Sequence, residues 1–451
     1  MKLSFISSVR RIGVVAIFTF APIAWAEGTK GSAIEIAQQF VKHLSAGEYE
    51  EGHKLLNPLF ANAMMPSDLD LSWHTQEEQY GKFRALGAPV AEIETEQSSV
   101  VRIPVIWERG ERPFQVFVND QGRVDGFSWD WVDPNKKPTP SKPDPSSKRV
   151  RLIVGDDPWK LQGLLTLPAS GAVRAGVVLV PDAGRNDGDC TYGAHRPFHD
   201  LAEGLALQGI ATLRYNQRTY QHLESLDPLK VTVRDEIMDD AVAAYRILAS
   251  REELKGVPVY LLGLGRGGVV LPEIATSIGG VSGIILMGAV ARPTEDVLEA
   301  QFKYFASLSQ EEEGRAINEA ELENLARLRK REMDSDELLS GIPVHYWLDL
   351  FDRDAEVAVR RAATFPGRIL VLHGARDFEA DLDDFRLWER GLSGHSGATF
   401  KLFDDLNHVF SKGQGLSTPA EYRIPKTMDS RVVDAIVQWC SKGSEPGKAK
   451  P

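Results

Sequence analysis

Cysteine is nearly absent. The chain has two in 451 residues, Cys190 and Cys440, 250 positions apart. A disulfide-stapled scaffold is thereby excluded. The sequence leaves open whether the two pair, and two buried free thiols are the simpler expectation. The His and Cys residues show no metal-ligand spacing, so neither a metal nor another cofactor is expected. Past residue 26 no apolar run is long enough to cross a bilayer. A surplus of positive charge is missing as well. The formal net charge is −12, which does not favour nucleic acid or anionic membranes as partners.

The first residues read as an export signal. Lys2, Arg10 and Arg11 form a positive start, an apolar stretch runs from Ile12 to Ala26, and Ala24-Trp25-Ala26 is a small-x-small cleavage pattern. Cleavage is expected after Ala26, giving a secreted or periplasmic protein with no transmembrane segment left. It removes three positive charges and takes the formal charge to −15. No cysteine follows the cleavage site, so no lipid attachment is expected there. Hydrophobic residues make up 43% of the chain, enough for a sizeable core.

Residues 30–133 read as a small α+β domain. Ala33, Ile36, Ala37, Phe40 and Leu44 share one helical face. Gly47 ends that helix, and a second is expected over Tyr49 to Phe60. The period then changes to that of strands. Val101, Ile103 and Val105 alternate, Phe114 to Val118 follows, Asn119-Asp120-Gln121-Gly122 is a hairpin turn, and Phe127 to Trp131 is a last strand. Helices followed by a curled antiparallel sheet resemble the NTF2-like domains. Leu44 to Glu50 and Gly81-Lys82-Phe83 resemble the short domain in front of secreted hydrolases. Such domains act as pockets, dimer interfaces or spacers.

Residues 134–147 carry five prolines among Lys, Asp and Ser. They cannot build a core and read as an extended linker. Over 148–445 short apolar strands alternate with helical stretches. Gly176 to Val180, Gly209 to Tyr215, Val257 to Leu262, Gly283 to Met287 and Arg368 to His373 are the strands, and Asp235 to Ala249 is one of the helices. That rhythm implies a parallel sheet covered on both faces. A long, charged, helical stretch, about 293–340, interrupts it and reads as a cap. Phe302, Phe305 and Leu308 are expected to reach the cleft beneath.

The most informative segment is Leu261-Leu262-Gly263-Leu264-Gly265-Arg266-Gly267-Gly268. A strand enters it and a helix leaves it. That is the setting of the G-x-S-x-G nucleophile elbow, whose serine hydroxyl attacks a carbonyl carbon. Here the central residue is Gly265, with no side chain to attack with. The same glycines satisfy the G-x-G-x-x-G dinucleotide fingerprint. That motif requires an acid at the end of the next strand, and Leu286-Met287-Gly288-Ala289 has none. Asp377 closes a strand 112 residues after Gly265, and His408 follows 31 residues later in a loop. Nucleophile, acid and base come in that order in such elbows.

With Arg214 to Arg218, Tyr346 to Leu350, Leu406-Asn407-His408 and Gly415 to Tyr422, these words resemble the secreted α/β hydrolases of the esterase, acyl-hydrolase and serine-aminopeptidase type. The resemblance implies an α/β-hydrolase fold with a helical cap, behind an NTF2-like domain. It makes His408 the general base and Asp377 its orienting acid. The backbone N–H groups of Ala183 and Arg266 become the oxyanion donors. Two departures stand out. Gly265 replaces the serine, and Pro181-Asp182 replaces the usual His-Gly, which sets a negative charge where an oxyanion would form. Cys190, on the loop after an earlier strand, reads as a packing thiol and not as a substitute nucleophile. The resemblance therefore implies a non-catalytic or strongly impaired homologue that takes a small molecule or peptide in its cleft. The alternative is an active ester, thioester or amide hydrolase using His408, Asp377 and water or an unrecognised nucleophile. An elbow residue normally sits at strained positive φ, which glycine adopts freely. On this reading a serine restored at 265 would place its hydroxyl within reach of His408.

The proline run generates a first test. Limited proteolysis should cut between Asp133 and Lys148 before it cuts inside either flanking unit. Early cleavage within 30–133 or 148–445, with the run intact, would contradict the two-unit reading.

Overall fold

The structure, a computed structural model, describes residues 33–442 except 58–60, 62–65, 95–97, 120–121, 130–146, 194, 223–224, 228, 309–311, 354 and 425. The export signal and nearly all of the proline run lie outside the described residues. Contacts divide the chain into two compact units, and each is described by itself.

In the first unit, α1 (Ala33–Ala46) buries Ile36, Ala37, Phe40, Val41 and Leu44. Those positions recur every three to four residues and form one stripe. Helices α2 (Tyr49–Lys54) and α3 (Pro66–Tyr80) follow. The sheet is antiparallel, in the order β1 (Phe83–Leu86), β3 (Ser98–Trp107), β4 (Gly110–Asn119), β5 (Val124–Ser128), with β2 (Val90–Glu94) also paired to β3. Val101, Ile103 and Val105 on β3 and Phe114 and Val116 on β4 meet α1 in the core. The last strand begins at Val124, three residues before the start read from the sequence. There the pairing with β4 decides the boundary, and no hydrophobic period marks it. Helix α3 and strands β1 and β2 had no counterpart in the sequence reading. Much of that stretch is polar, and its anchor is a single aromatic. Trp73 packs against Phe83, Trp107 and Trp129.

The second unit is built on an eight-stranded sheet. Its order is β15 (Ala398–Phe403), β14 (Arg368–Gly374), β11 (Gly283–Met287), β10 (Val259–Leu264), β8 (Ala175–Val180), β9 (Ile210–Tyr215), β7 (Leu161–Pro168), β6 (Ser147–Val154). Only β7 runs against the others, pairing antiparallel with β6 and β9. Every residue of β8, β9, β10 and β11 is buried, and all but β9, which carries Thr212 and Arg214, read as nearly unbroken apolar runs. Alternate side chains serve opposite faces. Leu261 joins one core with α5 (Asp239–Ala249) and α6 (Arg266–Ile278), and Leu262 joins another with α4 (Pro197–Leu207) and α12 (Ser430–Lys442). Each such fully buried leucine contributes about 1.5–3 kcal/mol. The helix expected from Asp235 begins instead with a wide π turn, Arg234–Met238.

Between β11 and β14 lies the insertion. Helices α7 (Thr294–Leu308) and α8 (Glu312–Arg329) pack on each other, and a two-residue hairpin, β12 (Leu338–Leu339) with β13 (Ile342–Pro343), follows. Helices α9 (Val344–Asp352) and α10 (Ala355–Ala363) carry the insertion beyond residue 340. After β14 comes α11 (Leu382–Gly391), opened by a capping box of Asp381 and Asp384. On α7, Gln301 donates to the Glu379 carbonyl at 3.2 Å and the Tyr304 hydroxyl to the Ser417 carbonyl at 2.7 Å. The insertion thus lies over the ends of the strands that bear the loops of Asp377 and His408. Strand order, direction and insertion together make this an α/β-hydrolase fold.

Candidate active site

Strand β10 turns into α6 at Gly265, whose backbone is at φ 53° and ψ −121°. The turn is as tight as the elbow motif requires. A Cβ at Gly267 would lie 2.7 Å from the Val180 carbonyl oxygen, so only glycine lets the end of β8 come this close. The loop leaving β8 decides the site. The Asp182 side chain lies directly over Gly265, and a Cβ added there would overlap the whole carboxylate, with Oδ1 at 2.6 Å. Carboxylate and side chain cannot share the space. The expectation that a serine restored at position 265 would reach His408 with its hydroxyl is corrected here, because Asp182 already occupies that volume.

The Asp182 carboxylate is held from two sides. Oδ1 accepts the backbone N–H groups of Ala183 and Arg266, both at 2.7 Å. These are the two donors that the family resemblance implied for an oxyanion, and here they hold an internal anion. Oδ2 faces His408 Nε2 at 3.4 Å. His408 Nδ1 in turn lies 2.7 Å from Asp377 Oδ2. Asp377 Oδ1 accepts the N–H groups of Glu379 and Ala380 at 2.8 and 3.1 Å. The structure therefore brings Gly265, Asp377, His408, Ala183 and Arg266 to one point. Arg266 contributes its backbone N–H, and its guanidinium lies over the Trp347 ring, 5.9 Å from the centroid.

The electrostatics follow from two carboxylates flanking one imidazole. Burial works against charge on His408, yet Asp377, Glu379 and Asp182 outweigh it and hold the ring well above its ordinary pKa. Burial likewise raises the Asp182 carboxyl. The hydrogen bond and charge of His408, with the Arg266 N–H, outweigh that and hold it below its ordinary value. Both directions favour an ion pair between His408 and Asp182.

A second ring of groups was not legible in the sequence. On the π turn, Glu236 accepts the Gly184 N–H at 2.7 Å and the Tyr346 hydroxyl. Burial pushes its carboxyl up to about 7. Glu379 accepts the Tyr192 hydroxyl, and burial raises it to about 7 too. Glu379 stands two residues after Asp377, the only cue the sequence held. Asp182, Glu379 and His408 each bring a ligand atom to within 4.8 Å of the others. A cation there would need His408 to lose its proton.

Tyr192, Phe378, Val409 and Tyr422 form an apolar wall beside His408, and Tyr304 and Phe305 of α7 pack on it. The expectation for Phe302 and Leu308 is corrected. Phe302 turns into the main core, and Leu308 is exposed at the end of its helix. Cys190 and Cys440 are free and buried, and burial pushes the Cys190 thiol well up.

The chain is similar to known proteins over most of its length. A curated relative, Esterase EstD of Thermotoga maritima, is 32% identical over 404 residues, covering 89% of this chain and 94% of its own. The chain belongs to the esterase family of α/β hydrolases. The family model described as Serine aminopeptidase, S33, matches residues 193–415, and one described as Protein of unknown function (DUF3887) matches 37–127. Among solved structures, an esterase of Pyrococcus furiosus is 16% identical, covers 66% of this chain and 93% of its own, and has a TM-score of 0.41. A soluble variant of monoglyceride lipase from Saccharomyces cerevisiae is 17% identical, with coverages of 65% and 95% and a TM-score of 0.42.

Two outcomes are expected from this site. Gly265→Ser should destabilise this family member by about 1–3 kcal/mol through overpacking, on top of backbone strain. The loss should shrink by about 1 kcal/mol or more when Asp182→Gly vacates the space. A thermal-unfolding double-mutant cycle with additive effects would contradict the shared volume. The second outcome concerns pH. A raised His408 pKa gives stability that is complete below about 6.5 and is lost as pH rises through the raised value. A depressed Asp182 pKa gives stability present above about 3.9 and lost as pH falls through the lowered value. An NMR titration should find His408 still protonated at neutral pH, and Asp182→Asn should move its midpoint down.

Proposed function

We propose that this protein is an exported esterase homologue that binds a small molecule or peptide in its cleft and does not carry out serine-type acyl transfer. One observation carries the reading. The Asp182 carboxylate fills the place of the missing hydroxyl and takes both oxyanion donors, each at 2.7 Å. An incoming ester would find no nucleophilic oxygen on Gly265. Its carbonyl oxygen would meet a carboxylate where stabilising donors are needed. Loss of one such donor already costs about 10²–10³ in rate.

Direct attack by water is the competing route, and it needs a neutral imidazole. Asp377, Glu379 and Asp182 raise the His408 pKa well above its ordinary value, which makes the ring a reluctant base. Cys190 offers no substitute, because its buried thiol resists ionisation. Export rests on the N-terminal signal pattern. An NTF2-like role for the first unit, as pocket, interface or spacer, belongs to the same proposal.

Turnover of short-chain p-nitrophenyl esters by the full chain and by the His408→Ala variant tests the reading. Both should hydrolyse them no faster than buffer, and a fluorophosphonate should label neither. Ester hydrolysis that disappears in His408→Ala would overturn it.

A further inference from the structure

We propose that Asp182, Glu379 and His408 form a binding site for a single zinc ion. The proposed function names no group that holds a ligand in the cleft. A metal site goes beyond that reading and does not depend on it.

The three groups stand at positions 182, 379 and 408, and that separation hides them from any spacing motif. Each brings one ligand atom to within 4.8 Å of the other two. One edge of this triangle is sharply defined. Asp182 Oδ2 and His408 Nε2 lie 3.4 Å apart, longer than the about 2.7–2.9 Å of a charge-assisted hydrogen bond. Zinc bonds to nitrogen and oxygen are about 2.0–2.2 Å, which makes the edge of a zinc tetrahedron about 3.4 Å. The spacing is that of two ligands on one ion.

Each ligand is oriented by a partner that leaves one atom over. The Ala183 and Arg266 N–H groups hold Asp182 Oδ1 at 2.7 Å and leave Oδ2. The Tyr192 hydroxyl holds Glu379 Oε1 and leaves Oε2. Asp377 Oδ2 sits 2.7 Å from His408 Nδ1 and leaves Nε2. A carboxylate on the far nitrogen is the usual support of a zinc-bound histidine, because it fixes the tautomer and raises the basicity of the ring. The ion displaces the Nε2 proton, as ligation by an imidazole requires.

The surroundings call for a cation. Asp377, Glu379 and Asp182 all act on His408, and Asp182 and Glu236 lie close enough for their charges to interact. One imidazolium cannot balance so many carboxyl groups, and a divalent ion can. A separate sign is Tyr422, which is 2% exposed. Its hydroxyl is buried with no hydrogen-bond partner among the described residues, and it feels the charges of Glu379 and Asp377. A water or ligand atom on the fourth position of the ion gives that hydroxyl a partner. One nitrogen and two oxygens suit zinc, whereas magnesium and calcium take oxygen alone. The Asp182 side chain keeps 14% of its surface exposed and Glu379 is half-buried, which leaves the ion a way in.

The test uses the full chain stripped with EDTA. Zinc chloride is titrated by calorimetry, and cobalt chloride is followed by visible absorption. The wild type should bind one zinc per chain. Cobalt should give the strong visible bands of a four-coordinate site, bleached by one equivalent of zinc, and magnesium chloride should give no binding heat. Asp182→Asn, Glu379→Gln and His408→Gln should each remove saturable binding and the bands. Glu379 is half-buried and glutamine still accepts the Tyr192 hydroxyl, so this variant serves where the other two fail to fold. Asp377→Asn should weaken binding by about 10–100-fold, and Glu236→Gln, outside the ligand set, by less than about threefold. No saturable zinc binding by the wild type, binding that survives Glu379→Gln, or an equal loss in Glu236→Gln would each overturn the proposal. Ester hydrolysis that needs His408 and persists in the EDTA-stripped chain would overturn the proposed function alone, so the two failures are distinguishable.

Discussion

The site depends on where one negative charge rests. Asp182 takes two backbone N–H groups that belong to different elements, one in the loop after β8 and one at the start of α6. Those donors exist whatever the side chains are, because the elbow and the loop are built by the sheet. A helix start that points N–H groups at one spot attracts an anion. In this chain the anion is supplied from within. The protonated state of His408, the room over Gly265 and the loose hold on Oδ2 all follow from that.

The surrounding carboxylates make sense in the same light. Glu236 is buried and Glu379 half-buried near Asp182, and each receives a tyrosine hydroxyl. Burial pushes both carboxyls up to about 7. Ionising all of them at once beside Asp182 and Asp377 would crowd like charges around a single imidazolium. Burial shifts both outer acids toward their neutral forms, which eases that crowding. The buried Arg218–Asp240 pair, at 2.6 Å, performs a more ordinary task. It ties the loop after β9 to the helix that carries the π turn.

Much of this was legible in the sequence. The apolar runs of β8 to β11 and β14 gave away the parallel sheet, and Gly263 to Gly268 located the elbow between a strand and a helix. Asp377 and His408 were readable because each closes or follows a strand in the order the fold demands. The conformation of Asp182 was not. Its charge was visible beside the expected oxyanion donors, but whether it points at them depends on the missing Cβ of a residue 83 positions away. Helix α3 and strands β1 and β2 escaped for a different reason. Their polar composition carries weak periodicity, and Trp73, Trp107 and Trp129 decide their packing across long sequence separations. Phe302 and Leu308 show the limit of helical spacing, which says that a face is apolar and not which partner it meets.

The overlap of Asp182 with any side chain at 265 also imposes an order on how such a site can arise. A serine and this aspartate, each in its place, claim the same few cubic ångströms. A chain that gained the aspartate first would have to push it out of the pocket or distort the turn. A chain that lost the serine side chain first would carry only a small void, which the later carboxylate fills. The passable route therefore runs through a form with neither group, and going back means retracing it in reverse.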